Sequence, residues 1–198
     1  NMPYRFDASY MNSNGIIKGS AMDRATLGMA LNPKLFDGKL NINVNLHGYY
    51  VHNRFSEGGS AVSAAMAMDP TKPVYSNYRI SGGDSGQEYL FGGLFTWLNH
   101  DGKGGATVEQ NATRNPMSYV SCFDNHADVL RSNGNIQFDY AFSFLPGLHA
   151  NLNLGYDVSK SKENIYLAPN SPTAWDSYNN DGAGAYQHIE QFKSNTLL

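Results

Sequence analysis

The chain has 198 residues, of which 41% are hydrophobic and 16% charged, with a net charge of -3 at pH 7. That length allows one or two ordinary domains, and the charge gives no basic footprint for nucleic acid. Mean hydropathy is -0.45 and no run of about 18 apolar residues occurs, so no helical membrane span is expected, although a β-barrel would carry only a period-two signal.

Asn1-Met2-Pro3 does not read as a signal peptide, and the chain enters a strand almost at once. Tyr4, Phe6, Ala8 and Tyr10 alternate with Arg5, Asp7, Ser9 and Met11, which predicts a first β-strand. Asn12 to Ala21 is a polar loop. In the second strand Ala25, Leu27, Met29 and Leu31 alternate with Arg24, Thr26, Gly28, Ala30 and Asn32. Phe36-Asp37-Gly38-Lys39 predicts a tight turn of the Asp-Gly type.

The strongest pattern follows. Leu40, Ile42, Val44, Leu46 and Tyr50 share one face of a strand, and Asn41, Asn43, Asn45, His47 and Tyr49 share the other. A long connection is expected from Phe55 to about Asp124, with a short helix over 59–68, an extended stretch through Tyr75, and a strand or hairpin over 89–97. Ile136, Phe138, Tyr140, Phe142 and Phe144 predict the fourth strand, Leu145-Pro146-Gly147-Leu148 another tight turn, and Leu148 to Val158 the fifth. After Lys160 comes a polar segment rich in Asn, Pro, Gly and Tyr, and Phe192 to Leu198 reads as the start of a further strand. Both ends look cut, so an internal piece of something larger is expected.

Aliphatics opposite a row of amides, with short turns at one end and long loops at the other, fit strands with lipid outside and a wet lumen inside. The expected fold is all-β: about five or six antiparallel strands of a larger transmembrane barrel with long extracellular loops. Asn41, Asn43, Asn45, His47, Asn151, Asn153 and Asp157 are then expected to face the lumen. The alternative is a soluble β-domain whose apolar faces meet in a dry core.

Catalytic motifs are weak. Gly82-Gly83-Asp84-Ser85-Gly86 has the letters of a serine nucleophile loop without a suitably placed His, so a Gly-rich loop tip is expected. His47 and His52 are five apart and face opposite sides of a strand, which argues against a shared metal. From Asp176, the third position of a calcium loop would be Tyr178, which breaks the pattern. One cysteine, Cys122, can form no intrachain disulfide. No enzyme activity, cofactor or metal is expected. Tyr75, Tyr78, Tyr89, Phe91, Phe95, Trp97, Trp175 and Tyr178 fall in the long loops. Of these, Tyr89, Phe91, Trp97, Trp175 and Tyr178 are candidate ligand contacts, since aromatic faces beside amides suit carbohydrate or peptide.

Three stretches together carry a family likeness: Phe36-Asp37-Gly38-Lys39-Leu40 and its strand, Ala61 to Tyr75 ending Met68-Asp69-Pro70-Thr71-Lys72-Pro73-Val74-Tyr75, and Asn115-Pro116 followed by Phe144 to Asp157. In this order they resemble the barrel of SusC/RagA-like TonB-dependent outer-membrane transporters of Bacteroidetes-type bacteria. The resemblance implies that residues 1–198 are part of such a barrel, with an extracellular loop over about 55–123 and the plug domain outside this chain. It further implies import of glycans or peptides across the outer membrane of a Gram-negative bacterium, with a SusD-like lipoprotein and the TonB complex as partners and the lipid bilayer as surroundings. A soluble carbohydrate-binding β-domain is the alternative function.

Overall fold

A computed structural model describes residues 3–76, 90–100, 106–177 and 182–197. Ser85, Tyr78, Tyr89 and Tyr178 lie outside the described residues. Among those described, seven strands form one antiparallel sheet: β1 (Tyr4–Asn14), β2 (Ala21–Leu31), the two-residue β3 (Lys34–Leu35), β4 (Leu40–Phe55), β7 (Phe123–Ala141), β8 (His149–Leu167) and β9 (Ala185–Leu197). Their order is β1-β2-β4-β7-β8-β9, with β3 paired to the start of β4.

The connection between β4 and β7 carries α1 (Gly58–Ala67), a 3-10 turn (Leu90–Gly93), β5 (Leu98–His100) paired with β6 (Ala106–Val108), and α2 (Pro116–Ser121). A four-residue helix, α3 (Ala174–Ser177), lies between β8 and β9. The stretch expected as a strand or hairpin over 89–97 instead turns: Phe91 and Gly92 have φ near +60°, and Leu94 forms an isolated bridge with Tyr75.

The sheet is open. Its edges are β1 and β9, which are not paired with each other. This corrects the expected fold class, a segment of a larger transmembrane barrel: the described residues form a single large antiparallel sheet with extensive loops and no closed barrel. Strand length differs from the expectation too, since β4 has 16 residues and β7 and β8 have 19 each.

These long strands invert their polarity part-way. Leu40, Ile42, Val44 and Leu46 of β4 share a face with Phe138 and Ile136 of β7 and with Leu152 and Leu154 of β8. Further along that face come His52 and Arg54, then Asp128, His126 and Asp124, then Lys160 and Lys162. On the opposite face the amides give way to Val51, Ala127 and Leu167, all buried, at the end where α2 packs against β7. Period-two alternation continues through the switch, but its sense reverses. A reading that follows one apolar phase therefore stops near Tyr50 and starts again near Asn135, and misses the ten residues before it.

The best-buried residues sit in the loop cap. Phe91, Leu94, Val108, Ala61, Ala64 and Ala174 are buried there with the polar Asn115, Ser118, Ser171 and Thr173. Asn115 organises the cap. Its Oδ1 accepts from Met117 N at 3.0 Å, capping α2, while its Nδ2 donates to Val74 O at 2.8 Å and Phe95 O at 3.2 Å. Ser118 and Thr173 meet oxygen to oxygen at 3.0 Å, tying α2 to the segment before α3.

Candidate ligand-binding face

Register determines which polar side chains meet. In β4, Asn41, Asn43, Asn45 and His47 lie opposite Asp139, Gln137, Asn135 and Asn133 of β7. Across the next ladder, Asp139 lies opposite Asn151, Gln137 opposite Asn153 and Asn133 opposite Asp157. The seven residues read from sequence as polar-faced thus gather on one face of the sheet. Their β7 partners complete that face, although only Asn135, Gln137 and Asp139 lay within an alternation visible in the sequence.

Side-chain bonds cross three strands. Asn45 Nδ2 donates to Asn135 Oδ1 at 3.3 Å, and Asn135 Nδ2 donates to Asn153 Oδ1 at 3.3 Å. Asn135 lies directly opposite Gly155, which has no side chain, and so reaches diagonally to Asn153. Here a depression of about 550 Å³ is lined by Asn45, His47, Asn133, Asn135, Asn153 and Asp157. A second depression of about 350 Å³ lies along the same face, against Lys34, Asn41, Asn43, Gln137, Asp139 and Asn151. Asn41 Oδ1 is shielded from solvent and has no hydrogen-bond partner.

Charges bracket the amides. Asp139 pairs with His149 Nδ1 at 3.0 Å and accepts from Asn151 at 3.4 Å, contacts that hold its carboxyl below the ordinary aspartate value. At the other end the Arg131 guanidinium bonds both oxygens of Asp157, lowering the Asp157 pKa and raising its own. Arg131 Nη1 also donates to the Tyr49 hydroxyl at 3.0 Å. Sequence reading left out Arg131 because it lies in the stretch where the alternation reverses.

The loop aromatics behave differently. Phe91 is 2% exposed and meets the half-buried Trp175 edge-on at 5.8 Å, while Asn170 Oδ1 accepts from both Phe91 N and Trp175 Nε1 at 3.4 Å. These two rings pack the cap. Trp97 is half-buried, edge-on to Phe95 at 5.3 Å, with Lys72 Nζ 5.1 Å above its ring.

The chain is similar to a receptor. It is 30% identical over 198 residues to the TonB-dependent receptor SusC of Bacteroides thetaiotaomicron, an alignment taking in 98% of this chain and 19% of that protein. The chain therefore spans about a fifth of the relative it matches. No protein-family model matches it. These findings support a distant relationship carried by an open sheet. They correct the resemblance to a transporter barrel and what was drawn from it: the importer function, the outer-membrane location, and the SusD-like lipoprotein, TonB complex and lipid bilayer as partners. Each of those was drawn from the resemblance to a transporter barrel, and the described sheet is not closed into a barrel. Likeness to a receptor agrees with the expectation that the chain is not an enzyme. Among the described residues no group of three or more His, Cys, Asp or Glu could hold a metal ion.

Proposed function

We propose that the polar face of the sheet binds carbohydrate. The observation that carries this is the Asn45–Asn135–Asn153 ladder between two depressions on one face. Each amide offers both a donor and an acceptor, which matches the two-way hydrogen bonding of sugar hydroxyls. The depressions match the roughly 300–1,000 Å³ of small-ligand sites. A relative named as a receptor suits a ligand-binding role. Phe91 and Trp175 serve as cap packing in this reading, and Asn41, Asn43, Asn45, His47, Asn151, Asn153 and Asp157 as ligand contacts.

Calorimetric titration against a panel of neutral and acidic oligosaccharides tests the reading. Binding by at least one sugar is expected, weakened about tenfold or more by Asn135→Leu, which removes two amide contacts and fills the depression. A protein that bound none of the panel, or an Asn135→Leu variant that bound as well as the parent, would refute it.

A further inference from the structure

The amide face carries several cations, and among the described residues neither Arg24 nor Lys34 has a carboxylate within ion-pairing distance. Arg24 of β2 is exposed on this face, and its Cζ stands 5.1 Å from the centroid of the Tyr49 ring. Arg131 Cζ stands 6.0 Å from the same centroid, so two guanidiniums flank one tyrosine. They differ in how their charge is met. Asp157 neutralises Arg131 through two bonds. Arg24 lies opposite Met11 on β1 and Val51 on β4, so its diagonal neighbours are Ser9, Ser13, Tyr49 and Asn53. All of these are uncharged, and among the described residues no carboxylate lies within ion-pairing distance of Arg24.

Position links this cation to the depression. Tyr49 is two residues from His47, and Arg131 is two residues from Asn133, so the Tyr49 end of the face adjoins the larger depression. The cation–π contact steadies a side chain that would otherwise sample many rotamers, which lowers the ordering cost of meeting a ligand. A guanidinium presents its N–H groups as a planar fork, and the planar partner of that fork is a carboxylate.

Building on the carbohydrate reading, we propose that this face selects acidic glycans, with Arg24 receiving the carboxylate of a uronic-acid residue whose hydroxyls meet the amides. A neutral sugar would leave Arg24 unused, while a uronate would meet both the amide ladder and the unmatched charge.

Calorimetry with trigalacturonate and with its fully methyl-esterified form tests this on one protein, because the two ligands differ in charge and little else. The acid is expected to bind roughly tenfold or more tightly than the ester, as a charge-assisted bond would give. That advantage should shrink as salt screens it and vanish in Arg24→Gln. Equal binding of acid and ester would overturn the proposal and leave the carbohydrate reading standing. So would an acid preference that survives Arg24→Gln, or binding of neutral hexasaccharides by a protein that ignores trigalacturonate. Failure of every sugar, acidic or neutral, would remove the carbohydrate reading and this proposal together.

Discussion

Arg131 grips Asp157 through two bonds between neighbouring strands, Nε to Oδ1 at 2.7 Å and Nη2 to Oδ2 at 2.5 Å. The two residues are diagonal neighbours, since Arg131 lies opposite Ser159 and Asp157 opposite Asn133. Their pairing is one of several that hold carboxyls below their ordinary values. Tyr50 and His52 act on Asp128, Asn12 and Tyr10 on Asp23, and Lys162 and His188 on Glu190.

A carboxyl whose folded pKa is depressed stabilises the fold above its unfolded value, and that contribution is lost as pH falls through the folded value. The unfolded values are 3.8 for aspartate and 4.5 for glutamate. The urea midpoint should therefore be flat with respect to these groups above about pH 5.5 and fall progressively below it. Asp157→Asn and Asp128→Asn should each make the acid limb shallower. A midpoint unchanged as pH falls from 6 to 3 would show that the pairs contribute nothing.

Phe91 is buried against Trp175 in the cap. Phe91→Ala should cost about 3–5 kcal/mol, as for other buried aromatics cut to alanine. Equilibrium unfolding measures this directly. A variant of parental stability would return Phe91 to the list of ligand contacts.

Asn115 is 2% exposed and spends its side chain on three backbone groups. Asn115→Ala should destabilise by about 1–3 kcal/mol through the lost cap and the carbonyls left unmatched. Asn115→Asp is the sharper experiment. Aspartate keeps the acceptor for Met117 N but loses both donors and places a charge beside two carbonyl oxygens. It should be at least as damaging as alanine, and rescue by aspartate would show that the cap is the only bond that matters.

Gly134 and Gly48 give a matched pair on adjacent strands. A Cβ at Gly134 would stand 2.5 Å from Asn45 O and 2.7 Å from Leu46 Cδ2, whereas at Gly48 the nearest atom is Arg131 O at 4.0 Å. Gly134→Ala should therefore cost about 1–3 kcal/mol by overpacking. Gly48→Ala should be neutral or better, because alanine loses less backbone entropy than glycine on folding. Thermal melts of the two variants should separate them, and equal melts would contradict the packing at Gly134.

Much of the sheet was legible because period-two alternation is a local property. Tyr4 to Tyr10, Arg24 to Leu31 and Leu40 to Tyr50 all proved to be strand, and Pro146 and Gly147 occupy the middle of a turn closed by Leu148 N to Leu145 O at 3.1 Å. Alternation shows that faces exist but not what covers them, so whether the sheet closes lay outside its reach. Residues 125–134 escaped because Asp128, Leu130 and Ser132 continue the apolar phase of β7 in a mostly polar dress. On the candidate face, the Asn row of β4 was plain, but its partners depend on register across 90 residues of chain, as for Asn45 and Asn135. For Phe91 and Trp175 the sequence leaves loop packing and ligand contact both open, because loop aromatics look alike whether they fold back on one another or meet a ligand.

The order β1-β2-β4-β7-β8-β9 has a dynamic consequence. Within the sheet each strand is hydrogen-bonded only to the strands beside it, so its ladder cohesion runs in one dimension and diminishes toward the ends. Amide hydrogen exchange should accordingly be slowest in β7, which has long partners on both sides, and fastest along the outer rims of β1 and β9, where half the backbone groups have no ladder to hold them. The amide ladder is built across β4, β7 and β8, the stretch that opens last.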